Sequence, residues 1–362
     1  MPTFMVYVGT YTNTKPIPRS QGIVIYRLDG ITGTLTFVGA VADIVNPSFL
    51  SISADHRFLY AVNEVTEFNG QMGGGLTAFA IDPQSGFLNR LNAQCTEGTT
   101  PCYVSVDRGF AFVANYGGGS ISILPVDEAG YLGAPLQVIH HRGSSINPQR
   151  QNNPHVHSVI LDPAARYLLA ADLGIDKVEI YRLDRLNTTA PIDKAREVSV
   201  EAGSGPRHLS FHPTGRFLYL VNELSSTVTV FAYNPTDGTP HFLQNTSSLP
   251  NGFSGTNLCS DIHIARSGMF LYVSNRGHDS IAIYAIDQST GHLISVGFIP
   301  TQGRTPRNFA FDPTGSWLLV GNQNSDSLVA FKVDRATGQL TPTGQVKAVF
   351  SPACVKVIAL DN

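Results

Sequence analysis

Charge is scarce in this chain: Asp, Glu, Lys and Arg make up 14% of the residues, and the formal balance is −3. With no basic stripe and no excess of positive charge, a nucleic-acid partner is not expected. No apolar run is long enough to cross a bilayer, so no membrane span is expected either. A strand-like segment starts within a few residues of Met1, leaving no room for a secretory signal; a cytoplasmic location is the expectation. Four cysteines, Cys95, Cys102, Cys259 and Cys354, lack the spacing of a metal site and read as small buried hydrophobes. No Gly-x-Ser-x-Gly elbow occurs, so a serine nucleophile is not indicated. No stretch keeps a helical period.

What the chain does have is a repeat. One copy reads Pro206-Arg-His-Leu-Ser-Phe-His-Pro-Thr-Gly-Arg-Phe-Leu-Tyr-Leu-Val-Asn222-Glu223, followed by Ser-Thr-Val-Thr-Val-Phe-Ala-Tyr. Others begin at Pro47, Pro101, Val156, Cys259 and Pro306, a period of about 46–55 residues, the length of a propeller blade. Each copy holds two strands of alternating apolar and polar residues and then a third run of Val, Ile and Phe. Glycine turns such as Pro313-Thr-Gly315 separate the first two strands, while Asp82-Pro-Gln-Ser-Gly86, Asp287-Gln-Ser-Thr-Gly291 and Asp334-Arg-Ala-Thr-Gly338 separate the third and fourth. Six copies are complete. The tail from Pro352 reads as an innermost strand, and the head, Phe4 to Thr10 and Gly22 to Asp29, reads as the strands that should follow it. The expectation is an all-β, seven-bladed propeller of four-stranded antiparallel blades spanning 1–362 as one domain. Pairing the C-terminal strand with the N-terminal strands closes its ring and removes the open edges. Such closure makes one chain self-sufficient, as a monomer or weak dimer.

Antiparallel strands place the start of each first strand and the end of each second strand on one face of the disc. The long connections, 13–21, 66–75, 139–154 and 244–258, leave from that face, where binding residues gather on a rigid scaffold. Two registers of the repeat vary there while their flanks stay alike. The residue after the blade-opening position is Ser48, Cys102, His157, Arg207, Ser260, Arg307 and Ala353. The residue after the Asn or Asp that ends the second strand is Glu64, Tyr116, Leu173, Glu223, Arg276 and Gln323. The first register should line the axial channel and the second its rim, bringing His157, Arg207, Arg307, Glu223, Arg276 and Glu64 around one opening. The spacing also allows a plain salt bridge between Arg207 and Glu223, and a pairing of Arg307 with Glu64 or Asp261. Charges in an enclosed mouth are costly unless paired or used, so bonds serving only the framework belong at the periphery.

Clustered arginines suit an anionic substrate, because a planar guanidinium grips carboxylate or phosphate at two points. A histidine of ordinary pKa passes protons at neutral pH, and Glu223 can act as a base on water or orient His157. Metal ligation through His155, His157, Asp261 and His263 is conceivable, but His155 and His157 alternate along a strand and should face opposite ways. No metal and no cofactor are expected.

Pro206-Arg-His with Val221-Asn-Glu-Leu-Ser-Ser, Ser274-Asn-Arg-Gly-His-Asp-Ser280, Pro154-His-Val-His-Ser158 and Asp261-Ile-His263 together resemble the seven-bladed β-propeller lactonase family, over essentially the whole chain. The resemblance implies hydrolysis of 6-phospho-D-glucono-1,5-lactone to 6-phosphogluconate, the second step of the oxidative pentose phosphate pathway. It implies a small anionic lactone, phosphorylated or carboxylated, as the partner. In the family's carboxymuconate cyclase branch a His, two Arg and a Glu are implicated, which fall on His157 (or its neighbour His155), Arg207, Arg276 and Glu223. On this reading Arg207 and Arg276 hold the anionic group and polarise the lactone, while Glu223 or His157 activates water. Arg307, Glu64, His155, Asp261 and His263 would add substrate contacts. A muconate-type cycloisomerase and a non-enzymatic scaffold are the alternatives; against a scaffold, the Gly-His and Trp-Asp signatures of the common scaffold propellers are missing and there is one Trp.

Overall fold

Runs rich in Val, Ile, Tyr and Phe, punctuated by Gly and Asp turns, become strands wherever the repeat put them. The computed structural model describes residues 2–13 and 21–360, in seven four-stranded antiparallel sheets. Blade one is Leu50–Ile52, Phe58–Asn63, Gly75–Ile81 and Leu88–Cys95. Blades two to six open with Pro101–Asp107, Val156–Leu161, Pro206–Phe211, Leu258–Ile264 and Pro306–Phe311. Blade seven takes Pro352–Ala359 as its innermost strand and continues with Thr3–Thr10, Ile23–Asp29 and Leu35–Val41. Innermost strands of successive blades touch all the way round, with Pro352–Ala359 between blades six and one. The expected seven-bladed propeller and its closure by the two chain ends are both present.

Burial follows position within a blade. Second strands are covered on both faces by neighbouring blades, and Phe58–Asn63, Phe110–Asn115, Phe217–Asn222 and Trp317–Asn322 are buried along their length. Outermost strands such as Ile192–Ser199 face solvent and are largely exposed. Among the described residues, no helix is long and apolar enough to cross a membrane.

The blades are stitched by a recurring bond. The second-strand tyrosines Tyr7, Tyr60, Tyr219 and Tyr272 donate to the turn carbonyls of Gly86, Gly130, Gly291 and Gly338 in the next blade, at 2.8–3.2 Å. At the seam between blades six and seven the lone Trp317 takes this place, its Nε1 donating to Gly30 O at 3.0 Å. The neighbouring turn glycine, Gly33, has φ +71°, and a Cβ there would lie 2.5 Å from the indole. Backbone sign and interblade packing thus both require glycine.

The 66–75 connection contains a two-stranded ribbon, Glu67–Phe68 with Gln71–Met72. The 13–21 connection lies outside the described residues apart from its two ends. Removing residues 352–362 should abolish the single cooperative thermal transition and shift Trp317 emission to the red, because the 5%-exposed indole sits on the seam that this strand completes. Unchanged emission and melting would refute closure as the source of stability.

Candidate active site

The side chains that line the channel owe their aim to one irregularity. Pro101, Val156, Pro206 and Pro306 pair with Asn115, Asp172, Asn222 and Asn322, yet the next paired residues are Tyr103, Ser158, His208 and Asn308. One residue per strand therefore bulges out of the ladder: Cys102, His157, Arg207 and Arg307. A bulge re-aims its side chain, here into the ring's centre, where these residues meet one another. Cys102 Sγ lies 3.7 Å from His157 Nδ1, Arg207 Nη1 donates to Ser260 O at 2.5 Å, and Ser260 Oγ donates to Arg307 O at 2.5 Å.

The rim register is positioned by the residue that ends each second strand. Buried Asn63, Asn222 and Asn275 bond neighbouring backbone and hydroxyls, as in Asn63 Nδ2 to Val45 O and Asn222 Nδ2 to Thr229 Oγ1, both 2.9 Å. The next residue then turns its N–H back to the residue before the blade opening: Glu64 to Asn46 O, Tyr116 to Thr100 O and Glu223 to Gly205 O. Tyr11 does the same, donating its N–H to Ser351 O. Tyr11 is therefore the seventh blade's member of this register, a residue the sequence reading missed. The ladder fixes its place, since Thr10 pairs with Pro352 as Asn222 pairs with Pro206.

Glu223 stands at the centre, 3% exposed. Its Oε2 accepts Arg207 Nε at 2.9 Å and makes an ion pair with Arg276 Nη2 at 2.7 Å, while Oε1 accepts Arg150 Nη2 at 2.6 Å. His157 Nε2 lies 3.8 Å from Oε2. Arg150 was not among the expected residues: it comes from the 139–154 connection, outside both registers, and also meets Tyr116 OH at 3.3 Å. Burial disfavours the Glu223 carboxylate, but Arg276, Arg207 and Arg150 outweigh it and hold its pKa well below the usual range. Burial and then the charge of Arg207 push His157 well below 6.5, so its imidazole is neutral at pH 7, in place of the ordinary pKa expected from sequence. Burial and Arg276 draw Arg207 down to about 10, which leaves it charged at neutral pH. Burial pushes the Cys102 thiol up, so Cys102 stays protonated and is no nucleophile.

A second group completes the mouth. Arg307 Nη2 donates to Tyr11 OH at 2.8 Å, Tyr11 OH donates to Glu64 Oε2 at 2.8 Å, and Ser48 Oγ also donates to Glu64. Arg307 thus reaches Glu64 through Tyr11 and does not pair with Asp261. Four guanidiniums face two carboxylates, with His157 neutral, so the mouth carries two surplus positive charges. Arg276 Nε is buried with no hydrogen-bond partner among the described residues.

The expected residues separate into three places. Glu223, His157, Arg207, Arg276, Arg307 and Glu64 share the mouth. His155 stands behind it, stacked on Tyr116 with ring centres 4.4 Å apart and its Nδ1 2.9 Å from Tyr116 O. His157 meets the same Tyr116 edge-on at 5.4 Å, so the two histidines do not face opposite ways; the bulge at His157 cancels the strand alternation. Asp261 and His263, bonded to each other at 2.8 Å, lie further down the channel and line a separate cavity of about 300 Å³ with His208, Tyr103 and Lys356.

A model of the seven-bladed β-propeller lactonases matches residues 5–357, and the chain belongs to that family. A 6-phosphogluconolactonase of Bacillus subtilis is 37% identical over 87% of this chain and 86% of its own length. One from Pectobacterium atrosepticum is 32% identical over 95% of this chain and 97% of its own. Among solved structures, the periplasmic gluconolactonase PpgL of Pseudomonas aeruginosa superposes with a TM-score of 0.93 at 38% identity, covering 99% of this chain and all of that one.

Glu223→Gln should lower stability at pH 7 by about 3–5 kcal/mol, because it strips the counter-charge from buried Arg207 and its neighbours. Glu223 is ionised in the folded chain, so its contribution is complete above the ordinary value of 4.5 and is lost as pH falls below it. Chemical denaturation from pH 7 to 3 should therefore show a shallower acid loss in the variant, by at most about 1.4 kcal/mol per pH unit. Identical slopes would mean that Glu223 is not ionised in the native state.

Proposed function

We propose that this protein hydrolyses a phosphorylated sugar lactone, 6-phospho-D-glucono-1,5-lactone, to 6-phosphogluconate. The observation that carries this reading is the mouth's surplus of two positive charges around a donor-rich, acid-poor opening. A phosphate monoester brings a matching charge of about −1.5 to −2 at neutral pH. The names of the relatives support lactone chemistry. With this substrate, the proposal includes the second step of the oxidative pentose phosphate pathway and the cytoplasmic location expected from sequence.

Hydrolysis needs a base for water, a donor for the carbonyl oxygen as it becomes an oxyanion, and a proton for the departing ring oxygen. His157 is the better base: its imidazole is neutral, and its Nε2 faces the cluster, whereas both oxygens of Glu223 are already held by arginines. Water gives its proton to Nε2 and its oxygen to the lactone carbon; Glu223, 3.8 Å away, steadies the imidazolium. Arg276 and Arg207, both beside Glu223 at the mouth, stabilise the oxyanion. The carbon–ring-oxygen bond then breaks, and the ring oxygen takes the proton back from His157. An arriving anion also offsets the field of Arg207 and Arg307 that depresses His157, so binding itself raises the basicity of the base. Arg307, Tyr11 and Glu64 are left to the phosphate or the sugar hydroxyls.

The PpgL relative, named a gluconolactonase, favours a second reading in which phosphate is not required. Acid release in a pH-stat, measured above spontaneous hydrolysis, separates the two. The phosphorylated lactone should exceed plain gluconolactone at least about tenfold in kcat/KM, the effect of roughly 1.4 kcal/mol of charge pairing. Arg276→Ala should lower kcat/KM by about 10²–10³ and His157→Gln should lower kcat by about 10²–10⁴. Equal rates on the two lactones would remove the phosphate requirement, and unchanged variants would remove the assigned roles.

A further inference from the structure

Beneath the mouth, Tyr103, His208, Asp261 and Asn308 from four innermost strands line the channel together. There His208 Nδ1 lies 2.8 Å from Asp261 Oδ1 in the next blade, and His208 Nε2 lies 3.3 Å from Arg207 Nη1. A guanidinium nitrogen only donates, so Nε2 must offer a lone pair, and the single ring proton must sit on Nδ1 and point at Asp261. Asp261 is built to accept it. Its Oδ1 also takes the N–H of Ile262 at 3.0 Å; its Oδ2 takes His263 Nε2 at 2.8 Å, Asn308 Nδ2 at 2.5 Å and the N–H of Phe309 at 3.4 Å. Tyr103 and Phe49 press edge-on against the His208 ring at 5.1 and 5.9 Å, which prevents it from turning.

We propose that Asp261 and His208 are positioning residues: Asp261 fixes the tautomer of His208, and His208 fixes the guanidinium of Arg207 against Glu223 and the substrate. The chain Asp261–His208–Arg207–Glu223 crosses from blade five to blade four and enters the mouth from below, without Asp261 or His208 reaching the opening. Burial and the neighbouring charge of Arg207 hold His208 down to about 3, against the pull of Asp261, in keeping with a neutral ring. Reversing the tautomer would set N–H against N–H at 3.3 Å and push Arg207 out of line. Asp261→Asn does this when its amide NH₂ turns toward Nδ1. If the NH₂ turns the other way it faces the donors of His263 and Asn308, so neither orientation satisfies the site.

This inference rests on the reading of Arg207 as part of the lactone site, and its test has an arm that does not need the reaction. In the native protein labelled with ¹⁵N-histidine, His208, assigned through His208→Phe, should show a protonated Nδ1 and a bare Nε2 unchanged from pH 5 to 8. The opposite tautomer, or a titration within that range, would overturn the proposal even if lactone hydrolysis is confirmed. In the kinetic arm, Asp261→Asn and His208→Phe should lower kcat by about 10- to 100-fold with KM changed less than about threefold. A merely structural role would lower the melting temperature and leave the kcat of the folded fraction intact, and that result also overturns the proposal. If Asp261→Asn fails to fold, the tautomer measurement and His208→Phe decide alone. If the wild-type chain shows no lactone hydrolysis while His208 has the expected tautomer, the functional reading fails and the positioning chain stands.

Discussion

One carboxylate organises the working end of this propeller. Glu223, from blade four, accepts hydrogen bonds from Arg207 in its own blade and Arg150 in the connection between blades two and three, and forms an ion pair with Arg276 in blade five. Without it, buried guanidiniums would face one another across a few ångströms in a medium that screens them poorly. With it, they converge, and because the cations outnumber the anions they converge with unspent charge. The arrangement that makes the mouth stable is the same one that makes it attract an anion.

The cost of this arrangement falls on basicity. The field that keeps Glu223 ionised also keeps His157 unprotonated and makes each a weaker base than its free side chain. A site of this kind is restrained when empty and becomes reactive when a substrate anion shares the arginines. Beneath it, the His208–Asp261 layer separates the charged mouth from the cavity on the other side of the channel, so the arginines are held from below as well as across.

Much of this was legible in the chain. The recurring Asn and the blade-opening position, with Pro or its equivalent, marked two registers, and the structure brings His157, Arg207, Arg307, Glu64, Glu223 and Arg276 together as those registers implied. Misses have definite causes. Tyr11 escaped because its blade is split between the two ends of the chain. Arg150 escaped because loop residues obey no register. His155 and His157 were expected on opposite sides because alternation presumes a regular ladder, and the bulge at His157 breaks it. Asp261 and His263 were grouped with the mouth, but they sit in lower rings because each step along an innermost strand also descends the channel.

Sequence alone determined the number of blades, the closure of the ring and which positions vary at the mouth, since repeat period and strand alternation are local properties that survive in a one-dimensional string. Tertiary structure decided which carboxylate each arginine meets, which histidine faces it and which way the ring proton of His208 points. Those outcomes depend on distances of about 3 Å between residues from different blades, set by the bulges, by the twist of the sheets and by how neighbouring blades pack.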